Sequence, residues 1–509
     1  MNSMELQSAL ASSSFVAIVE QERLQSQAAI LVATLALLVR AAVGLYPHSG
    51  QATPPMYGDY EAQRHWMEIT LHLPPAEWYH NSTSNDLLYW GLDYPPLTAY
   101  GSWLCGAIAH FFDPEWVALD TSRGFESKSS KAFMRATVLV SDLLIFFPAV
   151  FLFCRQILAD FTRSKQIAIA FMILLQPGLI LIDHGHFQYN CISLGLALLA
   201  IVAVMRDWDI LGSVLFCLSL NYKQMSLYYA PAFFSFLLGK SLQSAHPVLR
   251  IAALGVTVIA TFALCWLPFL TSIDSVAQVL HRIFPIGRGL FEDKVANVWC
   301  AVSVLIKLRA IFEQALLVRI SAICTLLAIL PSSVNLALRP SQTGFLYALV
   351  NSSLGFFLFS YQVHEKSILL VALPASLLLA SDPLNAVFFL LLSTASMFPL
   401  LHKDGLAIPY AICIVFFVIV VLHMLNVSLQ ACQHLTTIGK LQLAAVIVCF
   451  SGLHLAWYFY IPPAHLPHAN LLLFAVVSCA SFVLFAVYFN WRQWQLNGVP
   501  TSTHKLKHS

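Results

Sequence analysis

Long apolar runs that are almost free of charge restrict most strongly how this chain can fold. Between Asp404 and Arg492 the sequence contains one charged side chain, Lys440. Over all 509 residues only 10% are charged, against about 25% in an average soluble domain. Because so few charges cannot coat a water-exposed surface, the chain is predicted to be an all-α polytopic membrane protein. The net charge of +2 predicts no nucleic-acid partner.

A helix needs about 20 mostly apolar residues to cross a bilayer, and roughly 11 to 15 stretches are candidates. They lie near 27–46, 135–154, 166–183, 187–205, 210–222, 225–239, 250–270, 294–308, 316–335, 342–360, 366–381, 385–401, 406–428, 440–460 and 469–490. We see no cleavable signal peptide, so the first span is predicted to be a signal anchor. The shorter run 97–112 is predicted to be a helix lying in the membrane interface.

Basic residues predict which connections face the cytosol. The connections 155–165 and 240–250 and the tail 491–509 carry the excess of Lys and Arg. Residues 47–100 instead hold six acids and one base, Arg64. This loop is therefore predicted to be lumenal.

These sides define the predicted domain organisation. It consists of a cytosolic N-terminal segment 1–26, a transmembrane domain 27–490 that includes a first lumenal loop 47–134, and a cytosolic tail 491–509. The loop contains the glycosylation sequon Asn81-Ser82-Thr83, as its predicted side requires. Sequons at Asn351 and Asn426 fall in apolar runs, and we interpret them as chance matches.

The densest charge cluster of the chain lies in the stretch DYEAQRHWMEIT, which starts at Asp59. Its apolar residues recur at helical spacing, which predicts a short amphipathic helix at the membrane surface. The opposite face carries Glu61, Arg64, His65 and Glu68. These four residues either shape an acceptor site or merely face water. Asp59 has two compatible interpretations, an N-cap of this helix and a general base.

The segment WGLDYPPLTAY combines aromatic rings with a carboxylate. Its two prolines favour extended backbone, which holds Asp93 near the rings of Trp90 and Tyr94. Rings stack on the apolar face of a sugar while carboxylates accept hydrogen bonds from its hydroxyls. These three residues and Glu61 are therefore candidate sugar or acceptor ligands. The alternative is an aromatic anchor at the interface.

The segment IDHGHFQYN is a polar break between two apolar runs. We interpret His184, His186 and Gln188 as hydrogen-bonding groups for the substrate or for neighbouring loops. The two histidines could bind a metal ion, but no clear third ligand accompanies them. We therefore predict no metal site.

Cationic groups in polar breaks are candidates for binding a donor phosphate. Arg288 lies between two glycines, which leaves its donor fork open to a phosphate oxygen, and Lys294 follows it. Lys223 lies beside an apolar run, and His364 and Glu365 lie in the segment YQVHEKS. Charge at membrane depth is a functional candidate by default. The alternative for Arg288 is a side chain that snorkels to the interface.

Seven segments, taken in order, resemble the ER glucosyltransferases that build the N-glycan precursor. They read GDYEAQRHWMEIT, YWGLDYPPLTAY, TSRGFESKSSKAFMR, HGHFQYN, LNYKQM, GRGLFEDKVANVWC and FSYQVHEKSILL. The resemblance runs from about residue 30 to 400. The first two segments look more like the branch that adds the first glucose.

This resemblance implies a GT-C glycosyltransferase fold, with an active site on long lumenal loops of a multi-pass ER membrane protein. It implies an inverting transfer from dolichyl-phosphate-glucose to a dolichyl-pyrophosphate-linked high-mannose oligosaccharide, with ER membrane lipid around the protein. In this family the catalytic base is the acid of a G-D-[FY]-E motif, which here is Asp59.

The chemistry of inversion agrees with this role for Asp59. A single displacement at the anomeric carbon needs one carboxylate to take the proton of the acceptor hydroxyl. A dolichyl phosphate leaving group needs cationic stabilisation, for which Arg288 is the candidate. We therefore expect neither a metal ion nor a cofactor.

Two alternative functions stay open at this point. The sister enzyme that adds the second glucose shares the H-F-Q-Y-N and D-Y-P-P segments. A membrane transporter or lipid flippase would also have many spans and buried charge. A transporter should, however, carry midplane charges on broken helices, whereas the polar clusters of this chain collect at helix ends on one side.

Overall fold

The computed structural model describes residue 7 and residues 9–284, 295–425, 437–464 and 466–498. Across these residues the chain is helical and forms no β-sheet; one isolated bridge pairs Ser82 with Asn85. The predicted all-α fold class is therefore confirmed.

The helices are numbered along the chain. They are α1 (Ser14–Gln21), α2 (Gln25–Val43), α3 (Asp59–His72), α4 (Pro96–Phe112), α5 (Lys128–Ile157), α6 (Arg163–Leu174), α7 (Pro177–Phe187), α8 (Asn190–Met205), α9 (Asp209–Tyr222), α10 (Ala230–Leu242), α11 (Pro247–Trp266), α12 (Ile273–Ile283), α13 (Val298–Ser303), α14 (Leu308–Ile311), α15 (Gln314–Leu338), α16 (Gln342–Phe359), α17 (Leu369–Leu377), α18 (Pro383–Ser396), α19 (Phe398–Lys403), α20 (Ala407–Met424), α21 (Thr437–Phe459) and α22 (Ala469–Gly498).

The chain divides into two compact units. The first comprises the described parts of Met1–Leu227, Ala253–Arg288 and Leu379–Tyr460, and the second those of Tyr228–Ala252, Gly289–Leu378 and Ile461–Ser509. Helices α3 and α7, which carry Asp59 and His186, belong to the first unit.

Among the described residues, six helices are long and apolar enough to cross a membrane. They are α2, α5, α11 with the turn that extends it to Phe269, α15, α20 and α22. The bent pair α6 and α7 would make a seventh. The predicted number of 11 to 15 spans is larger than this count and stays a prediction. Some predicted spans correspond to shorter apolar helices, such as α8 with 16 residues and α9 with 14. The span predicted near 294–308 is wrong, because α13 and α14 have only six and four residues.

The apolar run 97–112 forms a helix, as predicted, and this helix is α4. Gly106 brings it very close to α3. A Cβ atom at this position would lie 2.6 Å from the main-chain oxygen of Met67, so the close approach requires glycine. Helix α4 thereby braces the helix that carries Asp59.

The start of α3 is fixed by the segment that precedes it. Gly58 occupies the N-cap position and has no side chain that could cap the helix. The prediction of Asp59 as the N-cap is therefore wrong, since Asp59 is the first helical residue. A Cβ atom on Gly58 would lie 2.5 Å from the main-chain carbonyl carbon of Ser49. The main-chain N–H of Asp59 also donates to Ser49 Oγ at 3.3 Å.

The charged face of α3 is buried, which rules out the alternative that its four charged or polar residues merely face water. Every residue from Tyr60 to Thr70 is buried. Arg64 donates to the two carboxylate oxygens of Glu61 at 2.7 and 2.8 Å. It also donates to Glu68 at 2.7 Å. The charges therefore neutralise one another inside the protein.

Partners from the large loop complete this ion-pair cluster. The hydroxyl of Tyr89 donates to Glu61 at 2.8 Å, and that of Ser122 donates to Glu68 at 3.0 Å. The main-chain N–H of Asp120 donates to Glu68 at 2.8 Å. The cluster thus ties α3 to the loop on both sides of α4 in the sequence.

Glu68 is ionised within this cluster over a wide pH range. Burial by itself opposes its ionisation, but the hydrogen bond from His65 and the charge of Arg64 outweigh burial. The net effect lowers the pKa of Glu68 from 4.5 to about 2.

The polar segment after α6 is irregular. Helix α7 widens into a π-helix over Leu181–Phe187, and Phe187 has a φ of +88°, which is unusual for a residue with a side chain. Asp183 accepts the main-chain N–H of Cys191 at 2.7 Å and the side-chain amide of Asn190 at 2.7 Å. These bonds fix the start of α8. Backbone of this kind occurs often at functional sites.

Buried polar contacts join the long helices of the second unit. Gln493 of α22 accepts hydrogen bonds from Ser332 of α15 at 2.6 Å and from Asn351 of α16 at 2.9 Å. The sequon at Asn351 is therefore buried, in agreement with its interpretation as a chance match. Asn426 lies outside the described residues.

Candidate active site

The carboxylate of Asp59 is held by two side chains from the polar segment at the end of α7. Nε2 of His186 lies 3.1 Å from Oδ2 of Asp59, and Nε2 of Gln188 donates to the same oxygen. The side chain of Asp59 is 23% exposed, whereas that of His186 is 3% exposed. Three predicted site residues from two distant segments therefore meet, and Asp59 keeps access to the outside.

Asp404 also belongs to this group, and sequence reasoning missed it. It follows α19 directly, and its Oδ2 lies 2.5 Å from Nδ1 of His186. The imidazole ring therefore lies between two carboxylates. The segment LLHKDG is a polar break after an apolar run. That is the same signal that marked the other candidate segments, so it could have indicated Asp404.

A chain of hydrogen bonds continues behind Gln188. Its Oε1 accepts from Asn190 at 2.9 Å and from Nζ of Lys223 at 3.3 Å. Nζ of Lys223 donates to Oδ1 of Asn190 at 2.6 Å. Lys223, a predicted phosphate ligand, therefore lies in the network that orients Gln188 and, through it, Asp59.

The predicted aromatic residues lie beside this network. Nζ of Lys223 is 5.0 Å from the centre of the Tyr94 ring, a distance at which a cation is attracted to the ring face. Tyr94 packs at 4.9 Å against Trp66 of α3, and Trp66 Nε1 donates to the main-chain oxygen of Trp90 at 2.8 Å. Asp93 is half-buried in the same loop. The loop thus lies against α3, whose first residue is Asp59.

His184 belongs to a different cluster. Its Nε2 lies 2.6 Å from Oδ2 of Asp142 in α5, and the same oxygen accepts from Nε of Arg40 at 2.8 Å. Arg40 also donates to the main-chain oxygen of Leu174 at 2.9 Å. These bonds anchor the polar segment to α2 and α5, so His184 is turned away from Asp59.

The remaining predicted residues lie elsewhere. Glu61 is enclosed in the ion-pair cluster of α3, which leaves its carboxylate engaged with Arg64 and Tyr89. His364 and Glu365 belong to the second unit, where they lie at the start of a 3-10 turn, Glu365–Ile368. Arg288 and Lys294 lie outside the described residues.

The arrangement around Asp59 suits proton abstraction. Asp59 is the first residue of α3, and the positive end of a helix favours an ionised carboxylate. Two donors orient it, and it is accessible from one side, as a general base requires. In the described part of the chain, no group of three or more His, Cys, Asp or Glu side chains is arranged to hold a metal ion. The predicted metal independence stays a prediction.

Ser49 is a second residue that sequence reasoning missed. Its main-chain N–H donates to the main-chain oxygen of His186 at 3.0 Å, while its Oγ accepts from the main-chain N–H of Asp59. One residue therefore fixes the relative position of the two segments that carry the site. Its surroundings in the sequence, a short polar stretch after the first apolar run, gave no signal for this role.

Comparisons with known proteins assign the chain to a group. The sequence pattern of the ALG6, ALG8 glycosyltransferase family matches residues 33–488. A similar protein of Mus musculus, named dolichyl pyrophosphate Man9GlcNAc2 alpha-1,3-glucosyltransferase, is 49% identical over 90% of this chain and 95% of its own. Proteins of Dictyostelium discoideum and Arabidopsis thaliana, with the same name preceded by "probable", are 47% and 46% identical. These matches cover 90% and 94% of this chain and 94% and 92% of theirs.

Proposed function

The chain belongs to the ALG6/ALG8 glycosyltransferase family, and from this membership we propose that it adds the first glucose, in α-1,3 linkage, to dolichyl-pyrophosphate-linked Man9GlcNAc2. The donor is dolichyl-phosphate-glucose. Membership of a glycosyltransferase family argues against the transporter alternative. The relatives are named for an acceptor, Man9GlcNAc2, that carries no glucose. That name supports addition of the first glucose over addition of the second.

The proposed reaction is one displacement with inversion at the anomeric carbon of glucose. The oxygen of the acceptor hydroxyl forms a bond to this carbon while the bond from the carbon to the donor phosphate oxygen breaks. The hydroxyl proton passes to Asp59, and the electron pair of the broken bond leaves with dolichyl phosphate. Because that phosphate leaves as an anion, a cation rather than an acid assists it. Arg288, with Lys294 nearby in the sequence, is proposed for this task.

The geometry of Asp59 is the observation that carries the proposal. His186 and Gln188 both contact Oδ2, which orients the carboxylate. A general base has to be ionised, oriented and accessible to the substrate. The helix start, the two donors and the 23% exposure of the side chain supply these three conditions.

The proposed location is the ER membrane, with the loop 47–134 and Asp59 on the lumenal side. The excess of acids in the loop and the basic connections on the other side support this orientation.

A transfer assay tests the proposed function. Membranes that contain the protein would receive dolichyl-phosphate-glucose and lipid-linked Man9GlcNAc2. Asp59→Asn preserves the size of the side chain but removes the base, so turnover should fall by about 10²- to 10⁴-fold. Retention of turnover within a few-fold by a folded Asp59→Asn protein would show that the base is another residue.

Asp120→Asn is the matched control, because it makes the same chemical change at an acid of the same loop whose side chain is 52% exposed. It should keep the wild-type turnover. Wild-type activity confined to an acceptor that already carries one glucose would instead assign the protein to the second transfer.

A further inference from the structure

The position of His186 between two acids fixes a minimum number of protons. Its Nε2 lies 3.1 Å from Oδ2 of Asp59, and its Nδ1 lies 2.5 Å from Oδ2 of Asp404. An ionised carboxylate can only accept a hydrogen bond, and a neutral imidazole has one N–H. With both acids ionised and the ring neutral, only one of the two contacts can be a hydrogen bond. For both contacts to be hydrogen bonds, the three groups together must carry one additional proton.

If the additional proton is on the ring, His186 is an imidazolium and both acids stay ionised. The two negative neighbours favour a charged ring at this short range. Asp59 is the most exposed of the three side chains, at 23% against 3% for His186 and 5% for Asp404. Its place at the start of α3 also favours its ionised form. Because an imidazole is more basic than either carboxylate, we assign the proton to His186.

Other charged groups packed around the segment are engaged with different partners. Arg135 of α5 donates to the main-chain oxygens of His184 and Gly185. Arg40 of α2 and the ring of His184 both bind Asp142. These cations therefore hold the backbone and the far side of the segment.

Further titratable groups on this segment and on the elements that pack against it are Tyr60, Asp183, Lys223, His48 and His402. Tyr60 of α3 packs on Phe187 and stacks on His48. Asp183 binds Asn190 and Cys191, and Lys223 binds Asn190 and Gln188. His402, near the end of α19, packs on Phe398 and Trp457. The ring of His186 itself contacts Asp59 and Asp404.

We propose that Asp404 and His186 are positioning residues for the base. Asp404 keeps the His186 ring doubly protonated. The charged ring stabilises the ionised form of Asp59 and orients it through the hydrogen bond to Oδ2. This rests on the proposed function, because it requires Asp59 to be the base. In the transfer step the acceptor proton goes to the carboxylate of Asp59, and the protons of His186 stay on the ring.

A high-pH limit on activity follows. When the ring loses its extra proton, one nitrogen lone pair faces a carboxylate, and the ring no longer donates to both acids. Because Asp404 retains the shorter contact, Asp59 is the acid that loses its donor. Asp404→Asn removes one of the two negative charges that favour the imidazolium, so the ring should deprotonate at lower pH.

The test is the pH dependence of kcat/KM for glucose transfer between pH 5 and pH 9. In Asp404→Asn the alkaline decline should move to lower pH by about one unit. Relative to wild type, its activity should then be about tenfold lower near pH 8 and within a few-fold near pH 6. His186→Gln retains an N–H that can donate to Asp59 but cannot titrate. It should therefore be slower than wild type and lack the alkaline decline.

Asp382→Asn is the matched control. Asp382 is also a buried acid of the first unit, at the start of α18, where it accepts a hydrogen bond from Asn385 at 2.8 Å. Its replacement should leave the pH of the alkaline decline unchanged. Melting temperatures in detergent would show whether each variant is folded. If Asp404→Asn does not fold, the profile of His186→Gln decides.

An equal loss of activity at every pH in Asp404→Asn would overturn the proposal and leave Asp404 a structural role. An alkaline decline that persists at the wild-type pH in His186→Gln would also overturn it. A wild-type protein without transfer activity, or an active Asp59→Asn, would refute the proposed function itself. An inactive Asp59→Asn combined with an unshifted Asp404→Asn profile would refute only the positioning role.

Discussion

At the scale of single residues, the site depends on a few side chains that are far apart in the sequence. Asp59 is separated by 127 residues from His186 and by 129 residues from Gln188. The motif around Asp59 was sufficient to choose it as the base. The motif around His186 and Gln188 indicated hydrogen-bonding side chains, but it did not indicate that they contact Asp59, because that contact is created by the fold.

Gly58 provides a test of how closely Asp59 has to be placed. A Cβ atom in Gly58→Ala would meet the main chain of Ser49 at 2.5 Å, so the start of α3 has to shift. A misplacement of about 1 Å can cost on the order of 10²-fold in rate. We therefore expect a loss of turnover of this size in the transfer assay.

The control for this prediction is Gly101→Ala in α4. The added Cβ atom would lie 3.7 Å from the nearest neighbour, the ring of Tyr222, which is an ordinary contact. This variant should keep the wild-type rate. Equal rates in Gly58→Ala and wild type would mean that the start of α3 tolerates displacement and that its close packing is not needed for catalysis.

At the scale of elements, α3 shows that a correct helix prediction does not specify what covers its polar face. Glu61, Arg64, His65 and Glu68 share one side of the helix, as their spacing predicts. The fold covers that side with Tyr89 and Ser122 from the loop. Periodicity specifies which residues share a face, but the part of the chain that covers the face is a tertiary property.

The ion-pair cluster of α3 should contribute stability that depends on pH. Removing one partner of a buried ion pair costs about 3–5 kcal/mol. Glu68→Gln should therefore lower the melting temperature in detergent at pH 7 by roughly 5 to 10 °C. Because folding lowers the pKa of Glu68 from 4.5 to about 2, its contribution is complete above about pH 4.5 and declines as the pH falls toward 2.

The difference in melting temperature between Glu68→Gln and wild type should accordingly be smaller at pH 3 than at pH 7. Glu115→Gln serves as the control, since Glu115 is an exposed acid of the same loop, and it should melt like the wild type at both pH values. A constant difference for Glu68→Gln at pH 7 and pH 3 would contradict the role of ionised Glu68 in the cluster.

At the scale of the whole molecule, the orientation in the membrane is the property that function requires. The proposed donor and the proposed acceptor are both dolichol-linked, so the proposed base has to work close to a membrane face. The charge bias of the connections predicts that the loop 47–134 is lumenal. The structure adds that Asn81 and Thr83 of its sequon are exposed.

Glycosylation reports on this orientation directly. If the loop is lumenal, Asn81 should carry an N-glycan, and glycosidase treatment should increase the mobility of the protein on a gel. Asn81→Gln should abolish that shift, whereas Asn351→Gln should retain it because Asn351 is buried in α16. An unshifted wild-type protein, expressed in a host with active N-glycosylation, would speak against the lumenal side.

The sequence by itself determined the all-α membrane class, the family, the polar segments and the choice of Asp59. These properties follow from composition and from short motifs. Both are local, so they can be recognised without knowledge of tertiary contacts. Several helices, among them the one over 97–112, were also visible as apolar runs. The span predicted near 294–308 was wrong, because hydropathy over a window does not detect where a helix breaks.

Only the tertiary structure decided what surrounds Asp59. It placed His186 and Gln188 on the carboxylate, added Asp404, and turned His184 toward Asp142 although only one residue separates the two histidines. The π-helical widening of α7 and the positive φ of Phe187 direct these side chains. Such directions depend on backbone angles and on packing between distant segments, and the order of residues alone does not specify them.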